Sequence, residues 1–209
     1  MENFDFYILD FSNNLMIKTI IFSSLFFFLL LSNSFAQKQG IFFSLNYDSL
    51  ASVSRPFSSK TQLKWLNSSV GFTLGGFYNK KLNDRFILSS KAIYQLRGFR
   101  RIADNGFASL HYVGVDETVQ FRWNKQSKFH LLLGVGAAYR IPVNFRKMTD
   151  LNRFDVHANL GVKYEIGKFG VVAQFSPSFT EVFSLDFGKN KSVGLQFRTI
   201  QLGVEIPLK

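Results

Sequence analysis

Hydrophobic and polar residues alternate along most of the chain, and the segment HYVGVDETVQFRW, residues 111–123, shows the pattern clearly. One parity is apolar and carries Val113, Val115, Val119, Phe121 and Trp123. The other parity is mostly polar or small and carries Tyr112, Gly114, Asp116, Thr118, Gln120 and Arg122. Successive side chains of a β-strand point to opposite faces, so the segment is predicted to be a strand with one apolar and one polar face.

Eight such strands are predicted. They cover about residues 40–50, 69–79, 85–98, 109–123, 129–142, 153–166, 169–179 and 193–208. Most exceed the usual globular strand and match the roughly 9–11 residues that a tilted strand needs to cross a bilayer. No segment after Gln37 shows a helical period.

The connections between these strands alternate strictly in length. KKLND, NKQSK and GK are short and follow the second, fourth and sixth strands. The other four connections cover about residues 51–68, 99–108, 143–152 and 180–192. In an up-and-down arrangement the short turns and both chain ends share one end of the barrel, here called the turn end. The long connections share the opposite end, the loop end, and outer-membrane barrels have this asymmetry.

These patterns predict an all-β protein, an eight-stranded antiparallel up-and-down transmembrane β-barrel in residues 37–209. A closed barrel satisfies every backbone hydrogen bond within hydrocarbon, which predicts a location in a bacterial outer membrane. The apolar faces then contact lipid, and the polar faces line a narrow interior. The alternative fold is a soluble lipid-binding barrel of eight strands, in which the apolar faces point inward.

Glycine is frequent on the polar faces. Glycine weakens a strand, so its presence there needs a reason, such as a lack of space for a larger side chain. The interior of an eight-stranded barrel has room only for side chains, so glycine beside a long charged residue accommodates it. The predicted interior charges are Lys91, Arg97, Asp116, Arg122, Asp155, Lys163, Glu165 and Glu205. They form either a plug of ion pairs or a selective ion path, and the narrow bore favours the plug.

Aromatic residues are predicted near both ends of the apolar faces. The turn end carries Tyr78, Phe86, Trp123, Phe129, Tyr164 and Phe169, and the loop end carries Tyr94, Tyr139, Phe154 and Phe179. Two such girdles are typical of the two membrane interfaces of a barrel. The alternative explanation is that aromatic residues favour strands in general.

Two positions break the alternation. Glu117 shares the parity of the lipid-facing valines near the middle of its strand, where charge is unfavourable. Leu195 and Phe197 have the opposite parity to Ile200. We expect a β-bulge near Asp116–Glu117 that rotates the carboxylate away from lipid. For the last strand we expect either a second bulge near residues 198–199 or a membrane span that begins there.

Residues 1–36 are predicted to be a signal peptide, with translation starting at Met16 rather than at the first residue. Lys18 supplies the positive region, residues 19–31 the short apolar region, and Ser34 and Ala36 the small residues before cleavage at Gln37. The alternative is a single N-terminal anchor helix. The chain has no cysteine, so an exported protein of this sequence relies on strand pairing and packing instead of disulfides.

The formal charge is +11, which in many proteins indicates nucleic-acid binding. An exported chain does not meet nucleic acid, so that class is excluded. Basic residues of the long connections are Arg55, Lys60, Lys64, Arg100, Arg101, Arg146 and Lys147. They are candidates for binding lipopolysaccharide phosphates or an acidic protein partner, with a merely solvated basic rim as the alternative.

The three histidines, His111, His130 and His157, are the candidates for metal binding or catalysis. His130 and His157 are predicted near opposite ends of the barrel, which argues against a joint metal site. No G-x-S-x-G motif accompanies them. The sequence therefore predicts no catalytic residue, metal site or cofactor, and a membrane-embedded hydrolase is the weakest alternative.

The chain resembles the small outer-membrane β-barrel domain family of Bacteroidetes-type bacteria, the PorT-like proteins. LNDRFILSSKAIYQLRG, LHYVGVDETVQF and RFDVHANLGVKYEIGKFGV carry the resemblance, and Asp116 stands where that family commonly has proline. The resemblance implies outer-membrane location but does not settle function; the function predicted for the chain is a non-enzymatic structural or interaction role. Because some members take part in protein secretion, the resemblance also implies an accessory role in secretion or envelope assembly. A narrow pore or small-ligand-binding barrel is the alternative function.

Overall fold

The computed structural model describes residues 37–53, 66–101, 107–141, 152–181, 183–186 and 192–208 of the 209-residue chain. Within these ranges no helix is long and apolar enough to cross a membrane. The predicted signal peptide, its cleavage site and the start at Met16 lie outside the described residues.

The described residues form ten strands. They are β1 (Gln37–Val53), β2 (Leu66–Asn67), β3 (Ser69–Lys81), β4 (Phe86–Arg101), β5 (Phe107–Arg122), β6 (Phe129–Ile141), β7 (Phe154–Ile166), β8 (Phe169–Pro177), β9 (Phe183–Asp186) and β10 (Ser192–Pro207). All but β2 and β9 correspond to the eight predicted strands. The short strands β2 and β9 pair with β4 and β10 towards the loop end.

The eight long strands form one closed antiparallel barrel. Each pairs with the next long strand along the chain, and β10 pairs with β1 to close the sheet. This confirms the predicted up-and-down path. Closure leaves no long strand edge unpaired, as a sheet in hydrocarbon requires.

The strands are staggered around the barrel. Starting on β1, the row of paired residues runs through Gly40, Phe77, Lys91, Asp116, Gly136, His157, Ser178 and Phe197 and returns to β1 at Leu50, ten residues further along. A closed barrel with such a stagger has tilted strands, typically by about 35–45°. A tilted strand needs more residues to cross the bilayer, which agrees with the 13–17 residues of most long strands here.

The outer wall is apolar and the interior is largely polar. Exposed outward residues include Ile41, Phe43, Leu45, Val115, Leu131, Leu133, Leu160, Ile200 and Leu202. Buried inward residues include Ser44, Asn46, Thr73, Gln95, Thr118, Asn159, Gln174 and Gln201. This distribution contradicts the soluble alternative, whose apolar faces point inward. The protein is a transmembrane β-barrel of the bacterial outer membrane.

The β-bulge predicted near Asp116–Glu117 is wrong, and of the two alternatives for the last strand the bulge is absent. Pairing continues without a break through Asp116 and Glu117 on both sides of β5, and through Arg198 and Thr199 on both sides of β10. Glu117 therefore keeps its outward position. Leu195 and Phe197 keep the inward parity of β10 and are fully buried inside the barrel.

Candidate functional site in the barrel interior

The structure places all eight predicted interior charges inside the barrel. Six of these side chains are buried, and Arg122 and Glu165 are partly exposed near the turn end. They form three groups along the bore, and each group combines charges of opposite sign. Pairing of this kind offsets the large desolvation penalty of buried charge.

The first group lies at the turn end. Arg122 Nη2 is 3.0 Å from Glu165 Oε1, and His130 Nε2 is 3.4 Å from the same oxygen. β5, β6 and β7 each supply one of the three side chains. Glu165 thus lies within 4 Å of both the Arg122 guanidinium and the His130 imidazole at the mouth of the barrel.

The second group surrounds Glu205 on β10. Lys91 Nζ lies 3.0 Å from one carboxylate oxygen, and Lys163 Nζ donates a short hydrogen bond to the other. Lys91 also lies over the ring of Phe42, 4.1 Å from its centroid. A Cβ at Gly170 would lie 2.6 Å from Lys163 Cε, so this glycine makes room for the lysine.

The third group runs towards the loop end. His157 lies between two carboxylates, with Nε2 2.9 Å from Asp116 Oδ1 and Nδ1 3.3 Å from Asp155 Oδ2. Asp155 also accepts a hydrogen bond from Arg97 Nη1 at 2.5 Å. Nε2 makes a hydrogen bond with Asp116, whereas Nδ1 lies near Asp155 without a hydrogen bond. The group therefore forms a row from the Asp116 carboxylate through the His157 ring and the Asp155 carboxylate to the Arg97 guanidinium.

Apolar side chains cover Arg97 at the loop end of the bore. Its guanidinium carbon lies 5.3 Å from the Tyr112 ring centroid and 5.5 Å from that of Phe197. Leu110 and Leu195 are buried at the same end. Aromatic rings over a desolvated guanidinium add cation–π stabilisation and exclude water from the ion pair.

Some interior residues were not predicted from the sequence. Asp48 is fully buried, accepts a 2.7 Å hydrogen bond from Thr199 Oγ1 and lies near the N–H of Gly98. It shares parity with Phe42, Ser44 and Asn46 on β1, which was the available signal. A buried apolar cluster was missed as well and consists of Phe42, Phe77, Ile93, Leu132 and Val172.

Among the described residues, two charged side chains of the outer wall lie at least five residues from either end of their strands, Glu117 on β5 and Arg198 on β10. Glu117 Oε2 accepts a 2.7 Å hydrogen bond from Ser90 Oγ, its direct partner across β4 and β5. The neighbouring outward residues of its own strand are Val115 and Val119. Ser90 therefore supplies one of the hydrogen bonds that water would give to this carboxylate.

The ten predicted girdle aromatics all lie on the outward parity. Phe86 packs against Phe121 at the turn end with ring centroids 5.3 Å apart, and Tyr139 packs against Phe154 at the loop end at 5.1 Å. Trp123 is the most exposed of the ten, at 77%. The positions agree with two interface girdles.

The three histidines do not come together. His111 lies on the outer wall, where its Nδ1 shares a hydrogen bond with the Tyr94 hydroxyl, and the other two belong to separate interior groups. Among the described residues, no cluster of three or more histidine or acidic side chains could hold a metal ion. Both ring nitrogens of His157 face carboxylates, so neither is directed at a serine hydroxyl.

The predicted basic rim of the loop end lies mostly outside the described residues. This applies to Arg55, Lys60, Lys64, Arg146 and Lys147. Arg100 and Arg101 lie in β4, and only their backbone is described. The assignment of these residues to phosphate binding stays a prediction.

No protein-family model and no curated protein matches the chain. Similar solved structures include the attachment invasion locus protein Ail of Yersinia pestis, at 16% identity over 83% of this chain and 100% of that chain, with a TM-score of 0.48. Neisserial surface protein A has 11% identity over 83% and 100%, with a TM-score of 0.49. Outer membrane protein OprG of Pseudomonas aeruginosa has 11% identity over 82% and 94%, with a TM-score of 0.43. The resemblance to the PorT-like family stays a prediction.

Proposed function

We propose that the protein is a non-enzymatic structural or interaction barrel whose interior does not conduct ions. The observation that carries this proposal is the pairing of the interior charges: seven of the eight lie within 4 Å of a group of opposite charge, and the eighth, Asp116, makes a hydrogen bond with His157. An ion crossing the bore has to displace contacts such as Arg97–Asp155 and the two lysine contacts of Glu205. Breaking a buried pair costs about 3–5 kcal/mol, so the closed state is strongly favoured.

An interaction role is supported by the lipid-facing wall. An ionisable residue within the membrane is a default candidate for a contact site, and Glu117 has this position. The PorT-like resemblance extends the role to an accessory of protein secretion or envelope assembly. At the loop end, the basic residues of the connection 54–65 make lipopolysaccharide phosphates the proposed ligand class, since arginine and lysine favour phosphate groups.

A narrow pore is the second candidate, because some interior polar atoms lack a hydrogen-bond partner. Within the described part of the chain these include both amide atoms of Gln95 and the Nε and Nη2 atoms of Arg97. Buried polar groups of this kind bind internal water. A connected row of waters would give small solutes a path that a dry plug does not.

Conductance across planar bilayers separates the two candidates. We expect protein purified from outer membranes to give no steady unitary conductance, and Glu205→Ala to destabilise the barrel because Lys91 and Lys163 lose their shared partner. Glu181→Ala, at an exposed loop-end carboxylate, is the matched control. Reproducible channels in the unmodified protein, with an ion selectivity that Glu205→Ala changes and Glu181→Ala does not, would replace the plug with the pore.

A further inference from the structure

Basic side chains crowd the turn end of the barrel. The group, called the turn-end ring here, consists of Lys38, Lys80, Lys81, Arg85, Lys125, Lys128 and Lys168, all exposed except the half-buried Lys80. The exposed acid among them is Asp84, which lies 2.6 Å from Lys81 and 3.8 Å from Lys125. The hydrogen bond from Lys81 holds the pKa of that carboxyl below its usual value. Lys38, Arg85, Lys128 and Lys168 have no described carboxylate within 4 Å.

Each of the three turns places a basic residue directly before a girdle aromatic. The pairs are Arg85–Phe86, Lys128–Phe129 and Lys168–Phe169, and all three aromatics are exposed on the outer wall. Lys125 follows Trp123 by two residues, and Lys80 follows Tyr78 by two residues. The turn-end ring therefore encircles the barrel immediately beyond the aromatic girdle.

The depth of this ring identifies what it meets. Girdle aromatics mark the boundary between hydrocarbon and headgroups, and lysine and arginine next to them extend their charged ends towards the phosphates. The turns are short, from the two residues 167–168 to the six residues 123–128, so their charges stay close to the membrane surface. A soluble acidic partner would be bound more readily by charges that project into water.

We propose that the turn-end ring binds the anionic headgroups of phospholipids in the leaflet that it faces. A basic residue near an anionic surface contributes roughly 1 kcal/mol, which corresponds to about a fivefold preference. Several such residues around the barrel would enrich anionic lipid in the first lipid shell. This inference does not depend on whether the interior conducts.

Spin-labelled lipids measure the enrichment directly. The protein is purified from outer membranes and reconstituted in phosphatidylcholine nanodiscs that contain trace spin-labelled phosphatidylglycerol or phosphatidylcholine. The association of each label with the barrel is compared at about 10 mM and about 500 mM salt, where the Debye length falls from about 30 Å to a few ångströms. We expect a severalfold preference for phosphatidylglycerol at low salt and little preference at high salt.

Charge variants assign the preference to the turn end. Lys128→Gln with Lys168→Gln should lower the preference at least about twofold. The matched control is Arg153→Gln with Arg198→Gln, two exposed loop-end residues, which should leave most of the preference intact. A gel-mobility shift on heating verifies that every variant is folded. The proposal is overturned if the unmodified protein shows no preference, or if the loop-end pair lowers it as much as the turn-end pair.

Discussion

Gly136 lies where the carboxylate of Asp116 meets the ring of His157. A Cβ at this position would be 2.0 Å from Asp116 Oδ1 and 2.3 Å from His157 Nε2, so no other residue fits without moving the pair. Glycine in a strand costs conformational entropy, and here the missing side chain leaves the space in which His157 contacts Asp116. The interior glycines thus determine which charged groups can meet.

Gly136→Ala should lower the free energy of unfolding by about 2–4 kcal/mol, because the methyl group overpacks the bore and separates His157 from Asp116. Urea unfolding in lipid vesicles measures the change. Gly76→Ala is the control, since its Cβ would meet only the Gly40 carbonyl oxygen at 3.8 Å on the outer wall. An equal loss of stability in both variants would show that strand glycine itself, rather than the space at residue 136, matters.

The interior residues were predictable as a set but not as a network. Strand parity alone placed Lys91, Asp155 and Glu205 inside. Their partners depend on the stagger of the strands, which brings β4, β7 and β10 side chains together across the bore, and a single sequence carries no direct signal for stagger. The contacts of Asp48 with Thr199 and of His157 with Asp116 depend on the same stagger of the strands.

At the level of strands, pairing keeps its register even where the sequence breaks the alternation. An apolar residue at an inward position produces the same sequence pattern as a bulge, because both interrupt the period of two. Phe197 packs over Arg97 inside the barrel, and Phe77 fills the space beside Gly40. The bulge considered near residues 198–199 is absent because a narrow interior holds apolar side chains as readily as paired charges.

Glu117 and Ser90 form a cross-strand pair on the lipid-facing wall of β4 and β5. Replacing Glu117 with leucine should raise the free energy of unfolding in lipid vesicles by about 1 kcal/mol, because a carboxylate in hydrocarbon is unfavourable even with one hydrogen bond. Ser90 can then donate to a nearby backbone carbonyl. Val119→Leu, at the next outward position of β5, should change the stability by less than about 0.5 kcal/mol. A loss of stability in Glu117→Leu would mean that the Ser90 bond stabilises the folded barrel.

At the scale of the whole molecule, the alternation of short and long connections was sufficient to predict the topology. Short turns such as Gly167–Lys168, where Gly167 has a φ of 61°, force adjacent antiparallel strands. Eight such strands with one apolar face each satisfy all their backbone hydrogen bonds in a membrane only when the sheet closes. Function was less predictable, because ligand and partner contacts depend on the loop end and on the lipid environment rather than on the barrel itself.

The central claim is that the apolar wall of the barrel contacts hydrocarbon. The chain contains no cysteine, so single cysteines can carry spin labels without background. Labels at Val113, Val115, Val119 and Trp123, with Lys125 as the aqueous reference, report collisions with oxygen from the lipid phase and with a nickel chelate from water. We expect oxygen collisions to dominate at Val115 and Val119 and to decrease towards Trp123 and Lys125. Equal access of the nickel chelate to all five positions would contradict the account.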